Sequence, residues 1–188
     1  MKYYFINHGF MGSNIENWFP WFKNQIDSET KKCIIPQYPI DEEHHFYNDW
    51  KSVLNIYKKF NMINDDTIII GHSTGSIFSV KYILESKVKV NKLILISGFN
   101  NYLSPDKDDL HNKINPTYYI SDEELKIVKQ YANEIICIYE NDDPYIPQNV
   151  LHDFSVLLDA KEIVINNGGH LNEQAGYTTF DEILKVIS

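Results

Sequence analysis

Apolar residues along this chain fall into two rhythms. Short, nearly unbroken runs rich in Ile, Leu and Val occupy positions 3–7, 32–35, 67–70, 93–97, 135–140 and 162–165, and such runs mark strands covered on both faces. Between them, residues 18–26, 46–60, 76–85, 122–132, 147–158 and 178–187 place apolar side chains three and four positions apart, the spacing of one helical face. Ser121-Asp122-Glu123-Glu124 adds a start signal, since Ser121 can cap a helix and Glu124 can reach back to it. Strand and helix therefore alternate from end to end. A parallel strand cannot return through a tight turn, so this alternation predicts βαβ crossovers and an α/β fold. The expectation is one domain over 1–188, with about six mostly parallel strands wound with helices on both faces. Segment 99–120 contains Pro105, Pro116 and the acidic residues Asp106, Asp108 and Asp109 but no clear element. It reads as a surface excursion over the carboxyl edge of the sheet, as fitting for a site cover as for a plain variable loop.

Composition narrows this picture. A chain of 188 residues with 43% apolar and 14% aromatic content is long enough for a single self-sufficient core. Its apolar runs are too short to span a membrane. The first six residues carry one positive charge and then meet Asn7 and His8, so they read as a first strand and not as a signal-peptide core. A formal net charge of −9 disfavours nucleic acid and anionic lipid as partners. Cys33 and Cys137 lie inside strand-like runs and read as buried small side chains. With no N-x-S/T site in the chain, they point to a reducing cytoplasmic setting.

In a parallel α/β sheet reactive groups collect just beyond the carboxyl ends of the strands. Four of the six strand ends here are loaded: Asn7-His8-Gly9-Phe10-Met11-Gly12, then Gly71-His72-Ser73-Thr74-Gly75, then Asn141-Asp142-Asp143-Pro144, then Asn167-Gly168-Gly169-His170. The second is the G-x-S-x-G pattern between a strand and a helix, where a sharp turn exposes the serine hydroxyl. Serine, acid and histidine follow in that order, as expected of an α/β-hydrolase. A serine hydroxyl is a weak nucleophile at neutral pH, so Ser73 needs a base, for which His170 is the candidate. An imidazole can take and return that proton if an anion fixes its tautomer. Asp143 is the leading candidate for the anion; Asp142 is adjacent, and one of the two could simply start the Pro-containing turn. Two donors must meet the developing oxyanion, and the backbone N–H groups of Phe10 and Thr74 are assigned to it. His8 reads as support for the oxyanion loop, His72 as a locally bonded or packed ring, and His44-His45, following Asp41-Glu42-Glu43, as a solvated face without metal-ligand spacing. No cofactor or metal is called for. Phe10, Trp18, Tyr38, Phe99, Tyr102, Tyr118, Tyr119 and Tyr145 are equally open to a role in an aromatic acyl pocket or in packing.

The chain also resembles the small single-domain serine hydrolases of the α/β-hydrolase fold that include the retinoblastoma-binding serine hydrolase and the bacterial YdeN-type proteins. The likeness runs nearly end to end. It rests on His8-Gly9-Phe10-Met11-Gly12-Ser13 with Asn17-Trp18-Phe19-Pro20-Trp21-Phe22, on Thr67 to Gly75, on Asp142-Asp143-Pro144-Tyr145-Ile146-Pro147, and on Gly168-Gly169-His170. In that family the acid directly precedes the proline, which corresponds to Asp143, and the nucleophile and base correspond to Ser73 and His170. The resemblance implies hydrolysis of a small ester, thioester or amide, esterase-like or aminoacyl-amidase-like, with no cofactor and little or no cap domain. The mammalian member's L-x-C-x-E segment corresponds to Asn61-Met62-Ile63-Asn64-Asp65 here, which lacks the Leu, Cys and Glu. Retinoblastoma-protein binding is therefore not expected. The same residues would serve acyl transfer to an acceptor other than water, and a hydrolase fold can also persist as a non-catalytic binding or scaffold protein.

Overall fold

The computed structural model describes residues 1–187. Its first half runs β1 (Lys2–Asn7), α1 (Phe19–Ile26), β2 (Lys31–Ile34), α2 (Tyr47–Lys59), β3 (Ile68–His72), α3 (Thr74–Ser86) and β4 (Val90–Ile96). The second half runs α4 (Leu110–Ile114), α5 (Asp122–Ile127), β5 (Ala132–Glu140), α6 (Gln148–Leu157), β6 (Lys161–Ile165) and α7 (Asp181–Val186). The strands form one sheet in the order β2-β1-β3-β4-β5-β6, and all its pairings are parallel. This is a single-domain α/β-hydrolase sheet, and "mostly parallel" becomes entirely parallel.

The unbroken apolar runs of β1, β3, β4 and β5 arise because each of these inner strands feeds two cores, whereas the edge strand β6 packs Ile163 and Ile165 on one core and leaves Val164 exposed on its other face. Phe5, Ile69, Leu93, Leu95, Ile135 and Cys137 face a core completed by α2, α3, α5 and α6, including Trp50, Phe78, Leu125 and Phe154. Their neighbours Tyr4, Ile6, Ile68, Ile70, Ile94, Ile96, Ile136 and Ile138 face the other core, closed by Phe19, Phe22 and Ile26 of α1 and Ile183 and Val186 of α7. Alternation along a strand thus chooses between two apolar faces. Each such side chain taken from water contributes about 1.5–3 kcal/mol.

Several boundaries move by a few residues, as where β4 starts at Val90 and α3 at Thr74, and three departures from the sequence reading are larger. The expected helix 122–132 is α5 plus a single 3-10 turn at Val128–Gln130, and Ala132 already belongs to β5. Pairing of Ala132 with Val90 and of Glu134 with Lys92 captures those residues for the sheet. The expected terminal helix 178–187 is confined to α7. Segment 99–120 is more than a surface excursion: it forms α4 and a 3-10 turn at Asn115–Thr117, with Ile114 and Tyr118 fully buried. Ser121 and Glu124 do form a capping box, with Ser121 Oγ accepting from the Glu124 N–H at 3.3 Å and Glu124 Oε2 accepting from the Ser121 N–H at 2.9 Å.

The strand order sets where a site can form. From β1 the chain moves outward to β2, then returns to the other side of β1 to make β3. Crossovers leaving in opposite directions open a crevice between the carboxyl ends of β1 and β3. Gly9-Phe10 and Ser73 stand at that crevice.

Candidate active site

Ser73 makes the turn between β3 and α3 alone, with φ 55° and ψ −126°. A side chain held in this region costs about 1–3 kcal/mol of backbone strain. Hydrogen bonds on either side hold it there: the Ser73 N–H donates to Ile96 O at 2.8 Å, and the Ser76 N–H donates to Ser73 O at 2.9 Å. The elbow glycines answer to backbone crowding. A Cβ on Gly75 would lie 2.1 Å from Asn7 O at the end of β1, and one on Gly71 would lie 2.5 Å from Ser76 Cα.

The acid and the histidine come together from the ends of β5 and β6. Asp143 Oδ2 lies 2.7 Å from His170 Nδ1, and its Oδ1 accepts from the N–H groups of Tyr145 at 2.9 Å and Ile146 at 3.1 Å. The Asp143 side chain is fully covered, and that of His170 is 8% exposed. Asp142 is exposed and forms no hydrogen bond or ion pair with His170 among the described residues; its N–H donates to Glu140 Oε2 at 2.6 Å. The backbone beneath the histidine is pinned as well. His170 O accepts from His72 Nε2 at 3.0 Å and Ser97 Oγ at 3.3 Å, and Leu171 O accepts from Trp18 Nε1 at 3.1 Å. With Nδ1 engaged by Asp143, Nε2 is the ring atom left for a reacting group. Ser73 and His170 line one cavity. Ser73 Oγ makes no hydrogen bond to His170 among the described residues, a contact that in enzymes of this chemistry often tightens only in the substrate complex.

Around the β1 end, Phe10 lines the cavity and its N–H has no acceptor among the described residues. Thr74 is the first residue of α3, where the N–H has no intrahelical acceptor. Its hydroxyl donates to Asn115 Oδ1 at 3.2 Å, tying the elbow to segment 99–120. His8 supports the loop through both ring nitrogens: Nε2 accepts from the Tyr38 N–H at 3.1 Å and Nδ1 donates to Gly9 O at 2.9 Å. Burial pushes its pKa down to about 4, so the ring is neutral. His72, likewise buried and close to His170, is pushed down to about 3.

The solvated-face reading of His44-His45 holds for one residue only. His44 is exposed beside Asp41, whereas His45 is fully buried and neither ring nitrogen has a hydrogen-bond partner. It is held by rings: His45 stacks on Trp50 at 5.4 Å and on Phe10 at 4.7 Å, and Phe10 meets His111 at 3.8 Å. This column runs from the core to the cavity wall and fixes the residue whose N–H was assigned to the oxyanion.

The cavity encloses about 1020 Å³. Of the aromatic candidates, Phe10, Phe99, Tyr102 and Tyr145 line it, while Trp18, Tyr38 and Tyr118 are core residues. The wall also carries Glu16, Glu173 and a His111–Asp109 pair at 2.6 Å. Burial would raise the Asp109 pKa, but the backbone N–H and ring of His111 and the Ser104 side chain outweigh it and hold it at about 2. No Lys lines this cavity, and no group of three or more His, Cys, Asp or Glu side chains suited to a metal occurs among the described residues. Sequence reasoning missed Asn115, His111 and Glu140, which carry no motif and reach the site only through the fold.

A parallel sheet with a strained serine at its switch point and an aspartate–histidine pair at neighbouring strand ends defines the α/β-hydrolase class. Residues 4–188 match the family model described as serine hydrolase, so the chain belongs to the serine hydrolase family. YdeN of Bacillus subtilis (strain 168), a protein named as a hydrolase, is 24% identical over 196 residues, covering 100% of this chain and 95% of its own length. Serine hydrolase RBBP9 of Rattus norvegicus is 28% identical over 124 residues, 66% of this chain and 61% of its own. The crystal structure of the B. subtilis ydeN gene product shares the fold at a TM-score of 0.84 and 23% identity, covering 99% of this chain and 96% of that one. The fold likeness extends to carboxylesterase CesB from B. subtilis, with a TM-score of 0.67, 14% identity, and coverage of 99% and 83%.

Proposed function

We propose that this hydrolase cleaves an ester, thioester or amide bond of a small substrate through an acyl-enzyme on Ser73. The observation that carries the proposal is the 2.7 Å Asp143–His170 pair in the wall of the cavity that holds the strained Ser73. His170 Nε2 accepts the hydroxyl proton as Ser73 Oγ attacks the carbonyl carbon, and Asp143 keeps the ring's other nitrogen protonated and stabilises the imidazolium. The carbonyl oxygen becomes an oxyanion, received by the N–H groups of Phe10 and Thr74. His170 then returns the proton to the leaving alcohol, thiol or amine. Water, deprotonated by the same ring, releases the acid and restores Ser73.

A fluorophosphonate probe tests the nucleophile: it should label the wild type and spare Ser73→Ala, and equal labelling of both would overturn the assignment. The adjacent aspartates are separable by turnover of an activated ester. Asp143→Asn should lower kcat by roughly 10³–10⁴-fold, and Asp142→Asn, at an exposed carboxylate that is not the one bonded to the histidine, should leave it within a few-fold. Equal losses, or the reverse order, would sink the role of Asp143. A folded protein inert to the probe and to a broad ester and aminoacyl panel would instead be a binding protein on a hydrolase fold.

A further inference from the structure

Glu140 is the last residue of β5 and is completely buried. A carboxylate removed from water needs a compensating partner. Here the compensation comes from two backbone N–H groups: Oε2 accepts from Asp142 at 2.6 Å and Oε1 accepts from Asn167 at 2.7 Å. Those donors belong to different loops. Asp142 immediately precedes Asp143, and Asn167 lies three residues before His170. Asn167 is held at φ 59°, and the backbone at Gly168 packs so closely that a Cβ there would lie 3.1 Å from Glu140 Cγ. At the exposed rim Asn141 Nδ2 donates to Asn166 Oδ1 at 2.9 Å, joining the same loops a second time in contact with water.

We propose that Glu140 is a positioning residue for the Asp143–His170 pair. Resting on the assignment of Ser73, His170 and Asp143 above, it makes one rigid unit of the two loops, so that Oδ2 and Nδ1 stay in bonding register. Residue type matters, because two N–H donors converge on the two ends of one side chain. A carboxylate offers an acceptor at each end. A glutamine offers one acceptor and one NH2, which sets donor against donor on one loop, and an aspartate is a methylene too short to span both. A shift of an ångström between reacting groups is enough to cost about a hundredfold in rate.

The test uses the fluorophosphonate labelling rate of Ser73, followed from pH 5 to 9 in wild type and Glu140→Gln, with thermal melting as a check of folding. The variant should label roughly ten- to a hundred-fold more slowly. The midpoint of its pH profile should move to lower pH, because a carboxylate no longer facing the ring supports the protonated imidazole less. Half-saturation by the probe should stay near that of the wild type. A purely structural role would lower the melting temperature and leave the pH midpoint in place. A folded variant with wild-type rate and midpoint overturns the inference alone, whereas a wild type that the probe does not label overturns the reading of Ser73 and this inference with it. Should the variant not fold, amide hydrogen exchange on the wild type decides: slow exchange at both Asp142 and Asn167 supports the clamp, and exchange there at the rate of exposed loop amides overturns it.

Discussion

His45 shows how far a residue's setting can depart from its neighbours in sequence. It follows Asp41-Glu42-Glu43-His44, yet it lies between Phe10 and Trp50 with both nitrogens unpartnered. Burial first, then the nearby His111, pushes its pKa down to about 4; burial, with a smaller contribution from His45, does the same for His8. Below about pH 6.5 the unfolded chain takes up a proton at such a residue while the folded chain does not, so the folded state loses ground as pH falls. Stability from His8 and His45 is therefore complete above about pH 6.5 and is lost on acidification toward about 4; for His72 the loss continues toward about 3. The shifts correspond to roughly 3 kcal/mol each for His8 and His45 and roughly 5 kcal/mol for His72. His45→Phe keeps a ring in the column and removes a titrating group that has no hydrogen bond to lose. Urea denaturation at pH 7 and pH 4.5 should show the variant losing about 2 kcal/mol less stability than wild type between the two. Parallel losses would refute the buried neutral histidine. At this scale Ser73, His170 and Asp143 were legible as candidates because each follows a strand end in the chain order of the fold. His45 and Glu140 were not, because burial against residues distant in sequence leaves no trace in residue type.

The elbow depends on two elements meeting with no space between them. α3 passes so close to the end of β1 that a Cβ on Gly75 would sit 2.1 Å from Asn7 O and 2.5 Å from His8 O, both backbone atoms that cannot swing aside. Asn7 seals the same junction: its Nδ2 donates to Ser79 Oγ at 2.7 Å, and its Oδ1 accepts from Tyr38 Oη at 2.6 Å. Gly75→Ala must therefore push α3 away from β1, with an expected loss of about 3 kcal/mol in chemical denaturation. Gly176→Ala provides the comparison. That glycine has nothing within 4 Å of a Cβ but sits at φ 89°, so only backbone strain of about 1 kcal/mol applies. Equal losses at the two positions would show that crowding at the elbow is not what the glycine relieves. The strands were readable for a related reason, since elements closely covered on both faces must be apolar throughout. The end of α5 was not, because Leu125, Val128 and Ala132 keep helical spacing across the point where pairing with β4 draws the chain into the sheet.

Over the whole molecule, the charge distribution predicts which substrates the cavity should favour. All 17 basic residues are lysines, the net charge is −9, and the cavity wall carries Glu16, Asp109 and Glu173 with no lysine among its lining residues. Burial first, and to a smaller extent repulsion from Glu173, raises the Glu16 pKa. A cleft of one sign walled by low-dielectric protein focuses its field on whatever enters. With no arginine in the chain, no guanidinium fork can grip a carboxylate or phosphate there. Esters matched in size and leaving group, but anionic, neutral or cationic at the far end of the acyl chain, should thus be turned over in rising order of kcat/KM at low ionic strength. The anionic-to-cationic gap should be roughly tenfold or more and should narrow as salt shortens the screening length to about 8 Å near 0.15 M. Glu16→Gln combined with Glu173→Gln should shrink the gap while leaving the neutral ester's kcat near that of the wild type, since among the described residues neither carboxylate forms a hydrogen bond or ion pair with Ser73, His170 or Asp143. A preference for the anionic ester that survives in high salt would mean that recognition there is set by a specific contact and not by the field of the cavity.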